Sequence, residues 1–190
     1  MTEITMTLNP NSIGEAINKL KAYNRKVERN AETAVAALAT DGVKVAKSLY
    51  SNVTAAVARE DDPDNVININ LNFTQDEYRH IDVRHEVGGK REKNVQYIIA
   101  SGSGVGFAEF GAGAFSDYNH PFAAEAPFPV YAGSWSDQDA RMYSRYGKWY
   151  FNTLVYYGIA PARGLYEAQK EMARLATPYI KMEFMRGNRL

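Results

Sequence analysis

The acid best placed for catalysis is Glu109, which sits in the apolar run Phe107-Ala108-Glu109-Phe110 beside Gly111 and Gly113. Hydrolysis by paired carboxylates needs a second acid at a defined distance. Asp117 and Glu125 are near Glu109 only in sequence. No nucleophile–base arrangement accompanies it, so a structural role is favoured. In that role Glu109 accepts backbone hydrogen bonds within its turn or pairs with a neighbouring subunit's arginine. The histidines invite a metal. His80 and His85 lie five apart on one expected strand, and an odd separation sends them to opposite faces. His120 stands in a loop with Asp117 near it. No metal site is expected, and no cofactor.

Gly102, Gly104 and Gly106 suggest a phosphate cradle. A dinucleotide fingerprint needs a strand, a glycine turn and a long helix. Here the glycines alternate, Gly111 and Gly113 would interrupt a following helix, and no Lys-Ser or Lys-Thr pair follows. The run from Gly102 to Gly113 is therefore expected to be a tight turn, because glycine allows conformations and approaches that other residues do not. Glu109, Phe110, Gly111 and Gly113 are its structural residues.

A third candidate is the aromatic cluster Tyr143, Tyr146, Trp149, Tyr150, Phe151, Tyr156 and Tyr157. A strand hides one face, yet aromatics occupy both faces of this segment. Aromatics are enriched at protein interfaces. Base stacking gives a similar composition, but Lys plus Arg equals Asp plus Glu at 22 each, without the basic excess of a nucleic-acid binder. These tyrosines and Trp149 are the expected contact surface, with Arg163.

The elements that position these residues are legible in part. Ser12 and Glu15 form a capping box for a short helix with Ile13, Ile17 and Leu20 on one side. A longer helix of about 40 Å is expected from Arg25 to Val53, with a stripe through Val27, Ala31, Ala34, Leu38, Val45 and Leu49. Gly42 in that stripe permits close packing or marks a bend. Asp61-Asp62-Pro63-Asp64 reads as a turn dividing helices from strands. Ile67, Ile69, Leu71 and Phe73 alternate with asparagines, as in an antiparallel sheet covered on one side. Ile81, Val83 and Val87 repeat the pattern, Gly88-Gly89 turns the chain, and Val95, Tyr97 and Ile99 share one side of the next strand. Residues 114–147 hold no period and exceed ordinary loop length, so they are expected to be a functional or a disordered loop and, with the 143–157 aromatics, a contact surface. A last strand covers 148–157, and a C-terminal helix carries Leu165, Ala168, Met172, Leu175 and Ala176 until Pro178 breaks or kinks it.

The expected fold is a single α+β domain over 1–190. An antiparallel sheet of about four strands is covered on one face by the long N-terminal helix and the C-terminal helix. At 190 residues there is room for a sizeable core. The chain has no cysteine, which removes disulfides and thiol chemistry. The start, MTEITMTLNP, has no basic-then-apolar run, and no membrane span is expected, so synthesis in the cytoplasm is the expectation. Zero net charge keeps a free monomer poorly soluble and favours assembly.

Glu109-Phe110-Gly111-Ala112-Gly113, followed by Pro161-Ala162-Arg163-Gly164-Leu165-Tyr166 with Ala168 on a helix, resembles one family. This is the tail-completion or minor tail-component (head–tail joining) proteins of long-tailed bacteriophages. The likeness covers about residue 8 to about residue 185, in the order short helix, long helix, strands, glycine turn, variable insertion, strand, helix. The 114–147 segment departs from it. The resemblance implies a structural, non-enzymatic virion protein of the neck or tail terminus, assembled in the host cytoplasm. It implies a homo-oligomeric ring, sixfold, around the DNA channel, with tail-tube and head-connector proteins above and below and DNA only as passing cargo. The rival reading is a small hydrolase or carbohydrate-binding module using the aromatic loop and Glu109; a second is a host-encoded assembly or toxin-like protein outside any virion.

Overall fold

The computed structural model describes residues 10–59, 61–76, 80–89, 95–113, 115, 117, 119–122, 142–145, 148–151 and 154–187. The chain is α+β: a long N-terminal helix, α1 (Pro10–Ser51), packs against a C-terminal helix, α3 (Gly164–Gly187), and small antiparallel sheets contact α1. Between the helices run β1 (Thr54–Arg59), β2 (Asp62–Asn70), β3 (Asp82–Val87), β4 (Gln96–Ser101), a short helix α2 (Val105–Phe110), β5 (Ala112–Gly113), β6 (Met142–Arg145), β7 (Lys148–Phe151) and β8 (Leu154–Ile159).

The strands are shared between two sheets. One has the order β2-β1-β8-β7-β6, with β5 also on β8; the other is the β3–β4 hairpin. Along the side of β8 away from β1, β7 pairs with Leu154–Tyr156 and β5 with Gly158–Ile159. The core joins Tyr50 and Ala46 of α1, Val57 of β1, Val83 of β3, Phe107 of α2 and Ala168 of α3.

Four expectations about elements change. The two N-terminal helices are one 42-residue helix, because nothing between Lys19 and Lys26 breaks it and the apolar steps of three, four and seven continue across. Gly42 serves close packing within that helix: a Cβ there would lie 2.4 Å from Ile98 Cδ1 and 2.8 Å from Met172 Sδ. After α1 comes a strand that the pattern hid. β1 is central and buried on both faces, so its alanines and Val57 carry no alternation. The acidic run from Asp61 therefore turns a β1–β2 hairpin, with Arg59 opposite Asp62, rather than dividing helices from strands. Finally, α3 runs on through Pro178. Tyr179, next to the proline, donates its hydroxyl proton to Asp41 of α1, which ties the second half of the helix down.

Two strand faces also differ. Ile67 is 53% exposed because β2 is an edge strand, whereas Leu71 and Phe73, just past its end, are buried. Their N–H groups donate to Val53 O and Tyr50 O. Ile81 and Val83 are buried as expected, but Val87 is 60% exposed at the far end of its hairpin. On β4 it is Ile98 and Ala100 that pack against the core, while Tyr97 and, just before the strand, Val95 face outward.

Candidate functional site

α3 begins without a cap of its own. The residue before it is Arg163, which has no side-chain acceptor, so the first N–H groups of the helix need an acceptor from elsewhere. That acceptor is Glu109. Its Oε2 accepts from Leu165 N at 3.0 Å and its Oε1 from Tyr166 N at 3.1 Å. The negative charge also suits the positive end of the α3 dipole. Two more donors complete the shell. Tyr50 donates its hydroxyl to Oε2 at 2.7 Å, and His120 Nε2 lies 3.3 Å from Oε1.

The tautomer of His120 follows from its other nitrogen. Phe122 N donates to Nδ1 at 3.1 Å, so Nδ1 offers a lone pair and Nε2 carries the proton that goes to Glu109. The ring is wedged between Phe110, with centroids 4.6 Å apart, and Tyr166, at 5.6 Å, both edge-on. Burial, reinforced by the Glu109 charge, pushes the Tyr50 phenol well above its ordinary value and keeps it a donor.

Local backbone makes this approach possible. Gly111 ends α2 at φ 73°, where an added Cβ would sit 2.6 Å from Phe115 O. At Gly164 a Cβ would meet the Tyr50 ring at 2.4 Å. The chain enters α3 through Arg163 at φ 51°, a left-handed conformation unfavourable for arginine. Arg163 Nη2 pairs with Asp117 Oδ2 at 2.7 Å, and Asp117 N donates to Phe110 O at 2.7 Å. Ala162 N donates to Ala108 O at 2.7 Å. Two segments some fifty residues apart, 104–120 and 160–168, are thus stitched together around one carboxylate.

Chemically this is a saturated acceptor. Glu109 is 4% exposed, and each oxygen already accepts two bonds. Asp117 is engaged by Arg163 rather than poised as a second acid, and Glu125 lies outside the described residues. His85 binds Gln96 through Nδ1 at 3.1 Å. Among the described residues no three His, Asp or Glu side chains gather as a metal site.

The sequence-predicted turn residues separate into distinct roles. Glu109 and Phe110 end the helix α2, Gly111 is its C-cap, and Gly113 is in β5. The segment is thus a short helix between the bends at Gly102 and Gly111, and Val105–Phe110 is helical in spite of Gly106. Glu109 accepts backbone bonds, as expected, but from α3 rather than from its own turn. Of the expected contact residues, Tyr143 stands opposite Tyr150, and Trp149 opposite Tyr156, on β6, β7 and β8. Tyr157 donates its hydroxyl to Pro63 O at 2.9 Å. Tyr146 lies outside the described residues, as does most of 114–147. Arg163 is in the intramolecular pair with Asp117. Sequence reasoning missed Tyr50 and His120 as partners of Glu109. The available signal was the uncapped start of α3, which demands an acceptor from a distant segment.

No protein-family model, no curated protein and no solved structure matches this chain. Among the described residues, no helix is long and apolar enough to cross a membrane.

Proposed function

We propose that this protein is a structural virion component of the bacteriophage neck or tail terminus, which completes the tail or joins it to the head as a homo-oligomeric ring. The observation that carries this reading is the use made of Glu109. The two stretches that resemble the tail-completion family, Glu109–Gly113 and Pro161–Tyr166, meet at this carboxylate: two of its four accepted bonds join them, and Tyr50 and His120 take up the rest of its acceptor capacity. A group spent in this way holds shape; it has no lone pair left for a proton transfer.

A clamp of this kind fixes the angle between the β8 end of the sheet and α3, so surfaces on either side project in a constant relation. Heterologous contacts repeated at a constant angle close into a ring when that rotation divides a full turn without translation. Tail-tube and head-connector proteins are the partners above and below, and DNA passes through without sequence-specific contact. The test is immunogold labelling of phage particles purified from a lysate in which this chain is expressed. Gold confined to the head–tail junction is the expected result; particles without label and without this chain by mass spectrometry would refute the reading.

A further inference from the structure

The first half of α1 is basic. Residues 19–29 carry Lys19, Lys21, Arg25, Lys26 and Arg29 against Glu28 alone. The whole chain has 22 bases and 22 acids, so what lies outside this run is net acidic, and a zero total conceals a local excess. Lys19, Lys21, Arg25 and Arg29 are exposed, and Lys26 is partly so.

Helix geometry gathers these bases on one side. Lys21, Arg25 and Arg29 follow one another at four-residue steps, about 6 Å apart. Their side of the helix is opposite Ala16, Ala34 and Leu38, which are buried. Lys19 and Lys26, seven residues apart, flank the row, and Asn18 and Ala22 lie among the bases. None of the five makes an ion pair with a described residue. Elsewhere on α1 and α3, Lys44, Lys170, Arg174 and Arg186 each pair with the acid three residues before. Here the order is reversed: Glu28 and Glu32 follow Arg25 and Arg29 by three, the weaker arrangement on a helix. Glu15, four residues before Lys19, is not paired with it either. Positive charge therefore stays uncompensated along about 15 Å of helix.

The ligand this fits is a polyanion of regularly repeated charge. A bilayer surface takes a helix that presents bulky apolar residues together with its bases. Here the apolar side is turned to the protein: Ala16 is 4% exposed, and Ile13, Ile17 and Leu20 border it and are only partly exposed. The acids of a folded protein are scattered, whereas the phosphates of a duplex repeat along a line. Asn18 and Ala22 are small enough to let a phosphate backbone approach the row.

We infer that residues 18–29 of α1 form a sequence-independent contact for the phosphate backbone of double-stranded DNA. The inference rests on the ring reading above, which supplies the duplex, and assigns the surface turned toward it. Such a contact is electrostatic and salt-sensitive, as suits DNA that has to move past.

The test is fluorescence anisotropy of the full chain with a labelled duplex of mixed sequence over a salt series. Five phosphate contacts give a slope of log affinity against log salt of about −4.5 per copy bound. Lys21→Gln/Arg25→Gln/Arg29→Gln, with unchanged circular dichroism, should leave about −2. Lys170→Gln/Arg174→Gln/Lys181→Gln removes the same charge from exposed positions on α3 and should keep the wild-type slope. Equal losses in the two triple variants overturn the proposal, since binding would then follow net charge alone. So does a wild type that binds no duplex at low salt, or one that binds phosphatidylserine vesicles more tightly than the duplex. Each of these results leaves the virion reading standing, because the particle labelling decides that separately.

Discussion

Replacing Glu109 by glutamine changes one atom and tests the whole clamp. An amide offers one oxygen and one NH2 where the carboxylate offered two acceptors. With NH2 at the Oε1 position it faces Tyr166 N–H and His120 Nε2–H, and neither can reverse without loss: the backbone is fixed, and His120 Nδ1 is held by Phe122. With NH2 at the Oε2 position it faces Leu165 N–H and the Tyr50 hydroxyl, of which only the hydroxyl can rotate to accept. The better placement still leaves Leu165 N–H without its acceptor and removes the charge from the remaining bonds. One unsatisfied N–H and weakened neighbours amount to about 2–3 kcal/mol. Glu109→Ala abandons all four donors and leaves a void, for about 4 kcal/mol. That is a large share of the roughly 5–15 kcal/mol that holds a domain of this kind, so glutamine is the informative variant. Urea unfolding followed by circular dichroism gives the difference at constant m. Tyr50→Phe in the same background completes a double-mutant cycle. A glutamine variant within about 0.5 kcal/mol of wild type would refute the claim that this carboxylate caps α3.

Glycine positions give an independent check on the packing. Gly164→Ala drives a methyl into the Tyr50 ring and is expected to cost about 3 kcal/mol, while Gly42→Ala meets Ile98 Cδ1 and the unbranched Met172 chain at Sδ and Cγ, which adjust more readily than a ring, and costs less; thermal denaturation ranks the two. The sheet order is tested by a facing pair: Val57 is fully buried on central β1, and Ile67, directly opposite, is exposed on edge β2. Val57→Ala should cost about 2 kcal/mol and Ile67→Ala under about 0.5 kcal/mol; comparable losses would contradict the topology. Burial beside the Glu109 charge raises the folded pKa of Tyr50 above that of a free phenol, which is about 10. Its contribution is therefore complete below about pH 10 and is lost as pH climbs and the unfolded phenol ionises. Denaturant midpoints should fall more steeply above about pH 10 in wild type than in Tyr50→Phe, and parallel curves would remove Tyr50 from the alkaline transition.

What the sequence reveals and hides follows from burial. α1, β2, β3 and α3 each keep one wet face or a polar flank, so their periods are visible. β1 does not: enclosed between β2 and β8, its Ala-Ala-Val-Ala centre has neither alternation nor strong strand preference. The long-range bonds of Glu109 were hidden for another reason. They join residues 50, 109, 120 and 165, and no local pattern encodes a meeting of four segments. What was legible was the unmet need, a helix opening at Ala-Arg-Gly with no cap, and an isolated acid among apolar residues. Each is unexplained alone, and together they explain each other.

Arg163 decides between a contact role and an internal one. At φ 51° an arginine carries a backbone cost of about 1–2 kcal/mol that glycine does not. Were its side chain needed only for a neighbouring subunit, Arg163→Gly would stabilise the isolated protein by about that amount. The ion pair argues the reverse. Asp117 is 8% exposed and its Oδ2, which makes no hydrogen bond, has the Arg163 guanidinium at 2.7 Å. Removing that charge strands a buried carboxylate at about 3–4 kcal/mol, the low end for a buried pair because Arg163 is itself 37% exposed to screening water. The stranded charge outweighs the backbone relief, and Arg163→Gly should lose about 2 kcal/mol net. Adding Asp117→Asn to that variant should recover part of the loss, because the amide is neutral while the relaxed glycine backbone at the entry to α3 stays in place. If instead Arg163→Gly unfolds at higher urea than wild type, the Asp117 pair contributes nothing to the clamp. The arginine would then be free for a partner, and the left-handed turn into α3 would be maintained for contact alone.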